Sequence, residues 1–202
     1  MQRNGRGFIV GIAGGSASGK SALTRSLLGV LAEAKPAIRT QVLHTDSYFN
    51  PRSPDMPTLV LSTTGKAVPD FNRPDSIDAE HLLSDLVSIS GAEDAPDVLI
   101  VEGLMVLHLP GIRERLDLRL FVELGDDVRA LRRLIRNLEH RGDPLADQGA
   151  ASIATYYLES AKVGHARYVE PSRVHADLIV RGDADYARIA PMVAAVIRDA
   201  RS

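Results

Sequence analysis

Gly14-Gly15-Ser16-Ala17-Ser18-Gly19-Lys20-Ser21 decides how this chain is read. The stretch fits G-x-x-x-x-G-K-[ST], the phosphate-binding P-loop. An apolar run, Phe8 to Ala13, precedes it and predicts a buried strand; an apolar-periodic stretch from Ala22 to Ala32 follows and predicts a helix. Strand, glycine-rich loop and helix is the context this motif needs. Glycines at 14, 15 and 19 permit backbone angles that a Cβ forbids. Successive N–H groups through Ala22 then point inward and, with the helix N-terminus, cradle an anion. Lys20 is placed to reach β- and γ-phosphates, and Ser21 to offer a hydroxyl to Mg²⁺.

Working outward, apolar runs alternate with helical patterns. Strands are expected at 8–13, 41–45, 97–101, 118–123 and 177–181, and helices at 20–34, 78–90, 126–140, 151–168 and 185–200. Such alternation predicts an α/β fold, a parallel sheet of about five strands with helices on both faces. The continuous apolar run Val98-Leu99-Ile100-Val101 suits a strand buried on both sides. Residues 50–74 differ: five prolines and no periodicity predict a long irregular loop, either a functional one or a disordered surface excursion.

The chain of 202 residues is long enough for one well-buried core. A net charge of −2 argues against general nucleic-acid binding. With no cysteine, disulfides and thiolate metal sites are excluded, which fits a reducing cytoplasm. No apolar run approaches 18 residues, so no membrane span is expected, and the short apolar run after residues 1–7 argues against a signal peptide. Self-association is left open.

In open parallel sheets, ligands bind beyond the carboxyl ends of the strands. The second strand ends in Thr45-Asp46, the third in Val101-Glu102-Gly103. Asp46 suits a proton acceptor or an indirect Mg²⁺ ligand; it equally suits a turn cap. Glu102 after four apolar residues has the Walker-B arrangement that holds Mg²⁺, against the plain alternative of a solvated strand end. Arg129, Arg133, Arg136 and His140 are spaced four, three and four apart, hence on one helix face, with Leu131, Leu134, Ile135 and Leu138 opposite. That pattern predicts an apolar stripe on the core and a basic stripe outward, either solvated or part of a lid that closes on phosphates.

Together, "GIAGGSASGKS" (11–21), "TDSYF" (45–49), "DFNRPDSID" (70–78), "VLIVEGLMVL" (98–107), "LRLFVELGDDVRALRRLIRN" (118–137) and "YVEPSRVHADLIVRG" (168–182) resemble the uridine kinase / phosphoribulokinase group of P-loop kinases, over roughly residues 8–190. The resemblance implies a three-layer P-loop kinase domain spanning 1–202, with a lid near 136–155 and an acceptor loop near 46–78. It implies ATP and Mg²⁺ as cofactors and a small hydroxyl-bearing molecule, uridine or cytidine, as acceptor. Asp46 becomes the catalytic base, Ser21, Asp46 and Glu102 the Mg²⁺ set, and Lys20, Arg136 and Arg141 the groups acting on the transferred phosphoryl. Arg133 and Arg136 become triphosphate contacts, and Arg181 lies near adenine. The matching blocks also place Tyr48, Phe71, Asn72, Arg73 and Glu102 around the acceptor.

The departures fall mainly on the acceptor side. The aspartate of the family's "FDHP" is Asn72 here, a family glutamine matches Tyr156, and a lid arginine is replaced by Asp143. Only Gly91 to Pro96 separates the 78–90 helix from the next strand, so the family's base-recognition segment is missing. The short acceptor region is also similar to nicotinamide riboside kinases, which leaves that nucleoside, or a sugar or glycerate, as an alternative acceptor. A GTPase-like switch would need D-x-x-G and N/T-K-x-D, and a transport ATPase L-S-G-G; none of these strings occurs.

Overall fold

The structure, a computed structural model, describes residues 6–139 and 149–201. Its elements in chain order begin with β1 (Phe8–Gly14), α1 (Lys20–Ala32) and β2 (Thr40–His44), then a 3₁₀ turn (Thr45–Tyr48). A short pair follows, β3 (Thr58–Val60) and β4 (Ala67–Pro69), and then α2 (Ala79–Gly91), β5 (Val98–Glu102), α3 (Pro110–Arg113), β6 (Leu118–Glu123) and α4 (Asp126–Glu139). After residues 140–148 come α5 (Ala150–Tyr156), α6 (Lys162–Gly164), α7 (Glu170–Ser172), β7 (Leu178–Arg181) and α8 (Tyr186–Arg201).

The five long strands form one parallel sheet in the order β2-β5-β1-β6-β7. β1 and β5 are buried at every position, which is why their sequences run apolar without alternation. Successive side chains still point to opposite faces. Phe8, Val10 and Ile12 pack on Leu23, Leu27 and Leu31 of α1 and Val193 and Ile197 of α8. Ile9 and Ala13 pack on the other face with Leu82 and Leu86 of α2, Ile112 of α3 and Val169. The sheet is therefore the middle of three layers, as expected. Because β1 lies at its centre, the P-loop emerges at the middle of the carboxyl edge, with the ends of β2 and β5 on one side and of β6 and β7 on the other.

Three expectations are corrected. The stretch 50–74 is not free of secondary structure: β3 and β4 pair antiparallel, closed by Gly65 at φ +67 with Leu61 fully buried beneath. The helix expected at 151–168 is interrupted by two π turns, Tyr157–Ala161 and His165–Val169. The largest correction is α4, which is turned over. Leu131, Ile135 and Leu138 are 62%, 55% and 50% exposed, while Arg129 is 1% exposed. The reason is what α4 packs against. Its inner neighbour is the polar P-loop with the backbone of Leu124 and Gly182, not the sheet, so guanidinium groups face inward. Residues 140–148, with Arg141 and Asp143, lie outside the described residues.

Candidate functional site

A cleft of about 780 Å³ opens at the carboxyl edge of the sheet. Its walls include Ser16, Lys20, Ser21, Asp46, Glu102 and Arg136. Four chain segments far apart in sequence thus deliver their chemistry-bearing residues to one place.

The P-loop is shaped by two different constraints. Gly14 and Gly19 adopt φ +144 and +109, a region that disfavours a Cβ. Gly15 has no such angle; a Cβ there would sit 2.3 Å from Nη1 of Arg129. Close approach, not backbone angle, requires glycine at 15. Ala17 takes the left-handed conformation at φ +61 without being glycine. Ser16, Ala17, Gly19, Lys20, Ser21 and Ala22 line the cleft, while Ser18 is fully buried behind them.

Lys20 donates from Nζ to the Gly15 carbonyl at 3.0 Å, folding over the loop. Burial pushes its ammonium pKa down to about 8, against the opposing pull of Glu102 and Asp46. An anion placed beside it would favour the charged form.

Ser21 donates from Oγ to Oε1 of Glu102 at 2.6 Å. Glu102 is only 5% exposed, so the solvated reading of this strand end does not hold. Its second oxygen, Oε2, is buried without a hydrogen bond, 3.8 Å from Nδ1 of His44. A buried carboxylate oxygen in need of a partner, beside a serine hydroxyl, is a donor set suited to a hard divalent cation. Asp46 stands in the 3₁₀ turn after β2, exposed and lining the cleft. Gly103 permits this geometry: a Cβ there would lie 1.7 Å from Oγ1 of Thr45.

Arginines close the opposite wall. Arg133 donates to Ser16 Oγ at 3.0 Å and lies 5.1 Å from the centroid of the Tyr156 ring. Arg132 donates to the Gly182 carbonyl at 3.0 Å, and Arg136 to Oδ1 of Asn137 at 3.1 Å. Beneath them Arg129 is paired with Asp126 and the Leu124 carbonyl.

The end of the cleft expected to take the acceptor is lined by Phe49, Phe71, Leu104 and Asn72, the two phenyl rings tilted with centroids 4.9 Å apart. Two residues expected here stand elsewhere. Tyr48 is buried, and its hydroxyl donates to Asp85 at 2.7 Å; burial and that bond push its pKa up to about 12. Arg73 is half exposed and paired with Asp75. Tyr48 follows Asp46 by two but on a 3₁₀ turn, and so points into the core. Arg181 does not line the main cleft either; it pairs with Asp183 at the edge of a smaller one beside Glu123 and His165.

Sequence reasoning missed Arg132, Phe49 and Leu104 in the cleft wall, and Arg129 as a support of the loop. Arg132 was legible as one of two adjacent arginines, once α4 is turned the right way. Phe49 and Leu104 carried no signal beyond adjacency to Asp46 and Glu102.

Similarity to known proteins agrees with this geometry. Residues 80–186, more than half of the chain, match the model of the Phosphoribulokinase / Uridine kinase family. The chain is 30% identical over 194 residues to a uridine kinase of Lactococcus lactis subsp. cremoris (strain MG1363), covering 86% of this chain and 87% of that protein. It is 30% identical over 199 residues to a uridine kinase of Ligilactobacillus salivarius (strain UCC118), covering 88% and 86%. Among solved structures, a putative fructose transport system kinase from Silicibacter sp. TM1040 superposes with a TM-score of 0.59 at 21% identity, over 88% of this chain and 91% of that one. A possible uridine kinase from Bacillus stearothermophilus superposes at 0.50 with 19% identity, over 89% and 91%. These two share the fold. With the motif, the cleft and the relatives in agreement, the chain belongs to the phosphoribulokinase / uridine kinase family and is an ATP-dependent phosphotransferase acting on a hydroxyl.

Proposed function

We propose that this chain transfers the γ-phosphoryl group of ATP to a hydroxyl of a nucleoside, uridine or cytidine first. The observation that carries the reading is the convergence of Lys20, Ser21, Glu102 and Asp46 on one cleft walled by arginines. Support for the acceptor comes from the names of the relatives and from the paired phenyl rings of Phe49 and Phe71, which offer an apolar wall to a flat ring.

In this reading the backbone N–H groups of the P-loop hold the phosphates and Lys20 bridges them. Ser21 and Glu102 would hold Mg²⁺, with Asp46 near it, and the cation when bound would neutralise phosphate charge. Asp46 accepts the proton of the attacking hydroxyl. Arg133 and Arg136 lie against the equatorial oxygens as charge spreads over them. Most of the rate is supplied by positioning and charge, since phosphoryl transfer asks little covalent chemistry of the protein. The chain is read as one kinase domain, with Arg141 and the lid segment completing the phosphate contacts.

The test is ADP release from ATP and Mg²⁺ with a panel of uridine, cytidine, nicotinamide riboside, sugars and glycerate. Release that depends on a nucleoside is the expected result. Steady release without any acceptor would refute the kinase reading. Release only with sugars or glycerate would refute the nucleoside assignment.

A further inference from the structure

Two buried nitrogens face the P-loop at Gly15 without a hydrogen-bond partner among the described residues: Nη1 of Arg129 and Nδ1 of His165. They stand 2.3 Å and 3.0 Å from the place that a Cβ on Gly15 would take, so they share one small space against that residue. The carbonyl of Gly15 in turn accepts the bond from Lys20 Nζ at 3.0 Å. The other ring nitrogen of His165, Nε2, lies 3.3 Å from Oε2 of Glu170.

The backbone brings His165 there. It opens the π turn His165–Val169, and Glu170 follows that turn. On an α-helix the neighbours are three and four apart; a π turn bonds i to i+5 and so draws residues five apart together. The segment is also pinned from another side. Gly164 packs so tightly on residue 72 that a Cβ there would lie 2.2 Å from the Asn72 carbonyl oxygen. Earlier in the same segment, the Asn72 side chain donates to Ser160 Oγ at 2.7 Å and to Tyr156 Oη at 3.3 Å.

A guanidinium only donates, and a carboxylate only accepts. An imidazole between them satisfies both in one form alone: neutral, with its proton on Nε2 toward Glu170 and a lone pair on Nδ1 toward Arg129. Burial first, then the charge of Arg129 and lastly that of Lys20, push the His165 pKa down to about 4, against the pull of Asp126. The imidazole is therefore neutral at pH 7. Protonated, it would set a third cation beside Arg129 and Lys20.

Resting on the kinase reading above, we propose that His165 is a positioning residue for phosphoryl transfer: oriented by Glu170, it offers its Nδ1 lone pair to the Arg129 guanidinium, and the two groups together hold the P-loop at Gly15, and with it Lys20, where the phosphates require them.

Two measurements test this, and neither needs an acceptor. In the wild-type protein labelled with ¹⁵N-histidine, the six imidazoles are read by NMR at pH 7. The signal that His165→Asn removes identifies His165. A proton on Nε2 and none on Nδ1 is the expected result. A proton on Nδ1, or on both nitrogens, overturns the proposal.

The second measurement is titration with ADP and Mg²⁺. The amide oxygen of asparagine can take the place of Nδ1, and the amide nitrogen of glutamine that of Nε2. His165→Asn therefore keeps an acceptor for Arg129 and gives up Glu170, while His165→Gln does the reverse. His165→Gln should weaken ADP binding roughly tenfold, the scale set by one buried donor without a partner, and His165→Asn less than about threefold. A merely structural side chain gives the opposite order, because asparagine is the smaller and leaves the larger void. Equal losses, a greater loss in His165→Asn, or unchanged binding in both overturn the proposal. If His165→Gln does not fold, the tautomer in the wild type decides alone. Failure of the kinase reading shows elsewhere, in ADP release without an acceptor.

Discussion

The guanidinium of Arg129 occupies the space that a side chain on Gly15 would need, with Nη1 2.3 Å and Cζ 2.8 Å from the position of a Cβ. Arg129 Nη1 is itself buried without a hydrogen bond. Loop and arginine therefore specify each other. Arg129→Ala removes bonds to Leu124 and Asp126 and leaves a void under the loop, so it should cost about 2–4 kcal/mol. Gly15→Ala should raise the KM for ATP more than tenfold by displacing the same loop from the other side. Chemical denaturation checks the first variant and nucleotide titration the second. An Arg129→Ala protein of normal stability would show that the buried guanidinium supports nothing.

Lys20 loses protons at about pH 8 in the free protein, because burial outweighs its acidic neighbours. The unfolded lysine titrates near its ordinary value, so the folded state binds fewer protons between pH 8 and 10.5. Stability contributed by this group therefore rises with pH through that window. Nucleotide binding works in the opposite direction, because phosphates favour the charged form. At pH 8.5 ATP binding should take up a sizeable fraction of a proton. Calorimetry in buffers of different ionisation enthalpy measures this, and Lys20→Met should abolish it. Lys20→Ala should lower turnover by on the order of 10²-fold with an unchanged circular dichroism spectrum.

Asp46 is exposed in its turn, so replacing it should leave the fold intact. Asp46→Asn should lower kcat by roughly 10²–10⁴-fold while ATP affinity stays within a few-fold. Loss of folding in this variant would reassign Asp46 to a structural role.

Arg133 reaches Ser16 and Arg132 reaches Gly182, two separate rims of the cleft. Arg133→Ala and Arg136→Ala should lower kcat more than they raise the KM for ATP, the signature of contacts that strengthen in the transition state. Arg115→Ala, on the loop after α3, is the control. An equal loss there would remove any special role for the α4 arginines.

Leu131 and Leu138 of α4 point to solvent. Leu131→Gln and Leu138→Gln should each change stability by within about 0.5 kcal/mol, the range for exposed sites. A core leucine truncated to alanine costs about 2–5 kcal/mol. A loss of that size at either position would mean that α4 packs apolar face inward after all.

The contrast within α4 shows where sequence patterns stop. The strands were legible because a buried parallel strand needs a continuous apolar run, as Val98 to Val101 display. The P-loop was legible because its spacing is tied to phosphate geometry. The rotation of α4 was not, since periodicity identifies two faces but not which one faces inward. That choice depends on whether the neighbour is an apolar sheet or a polar loop. The β3–β4 pair was hidden by five prolines around one usable turn at Gly65. Asp46 and Glu102 could be placed at strand ends, yet Tyr48 and Arg73, beside residues that do line the cleft, face elsewhere. The Asn72 network joins residues nearly ninety apart, with no local pattern to announce it.

That separation has a consequence for how the protein is made. The P-loop side of the cleft draws on β1, β5, the start of α1 and the arginines of α4. The wall at Asn72 is finished only when Tyr156 and Ser160 dock on residues 69–72. As the chain leaves the ribosome, the loop carrying Asn72 emerges long before its partners, and contacts this distant in sequence form late. A nascent or truncated chain ending before residue 156 lacks the hydroxyls that hold the Asn72 side chain. The seating of Asn72 therefore waits on residues synthesised well after the loop that carries it.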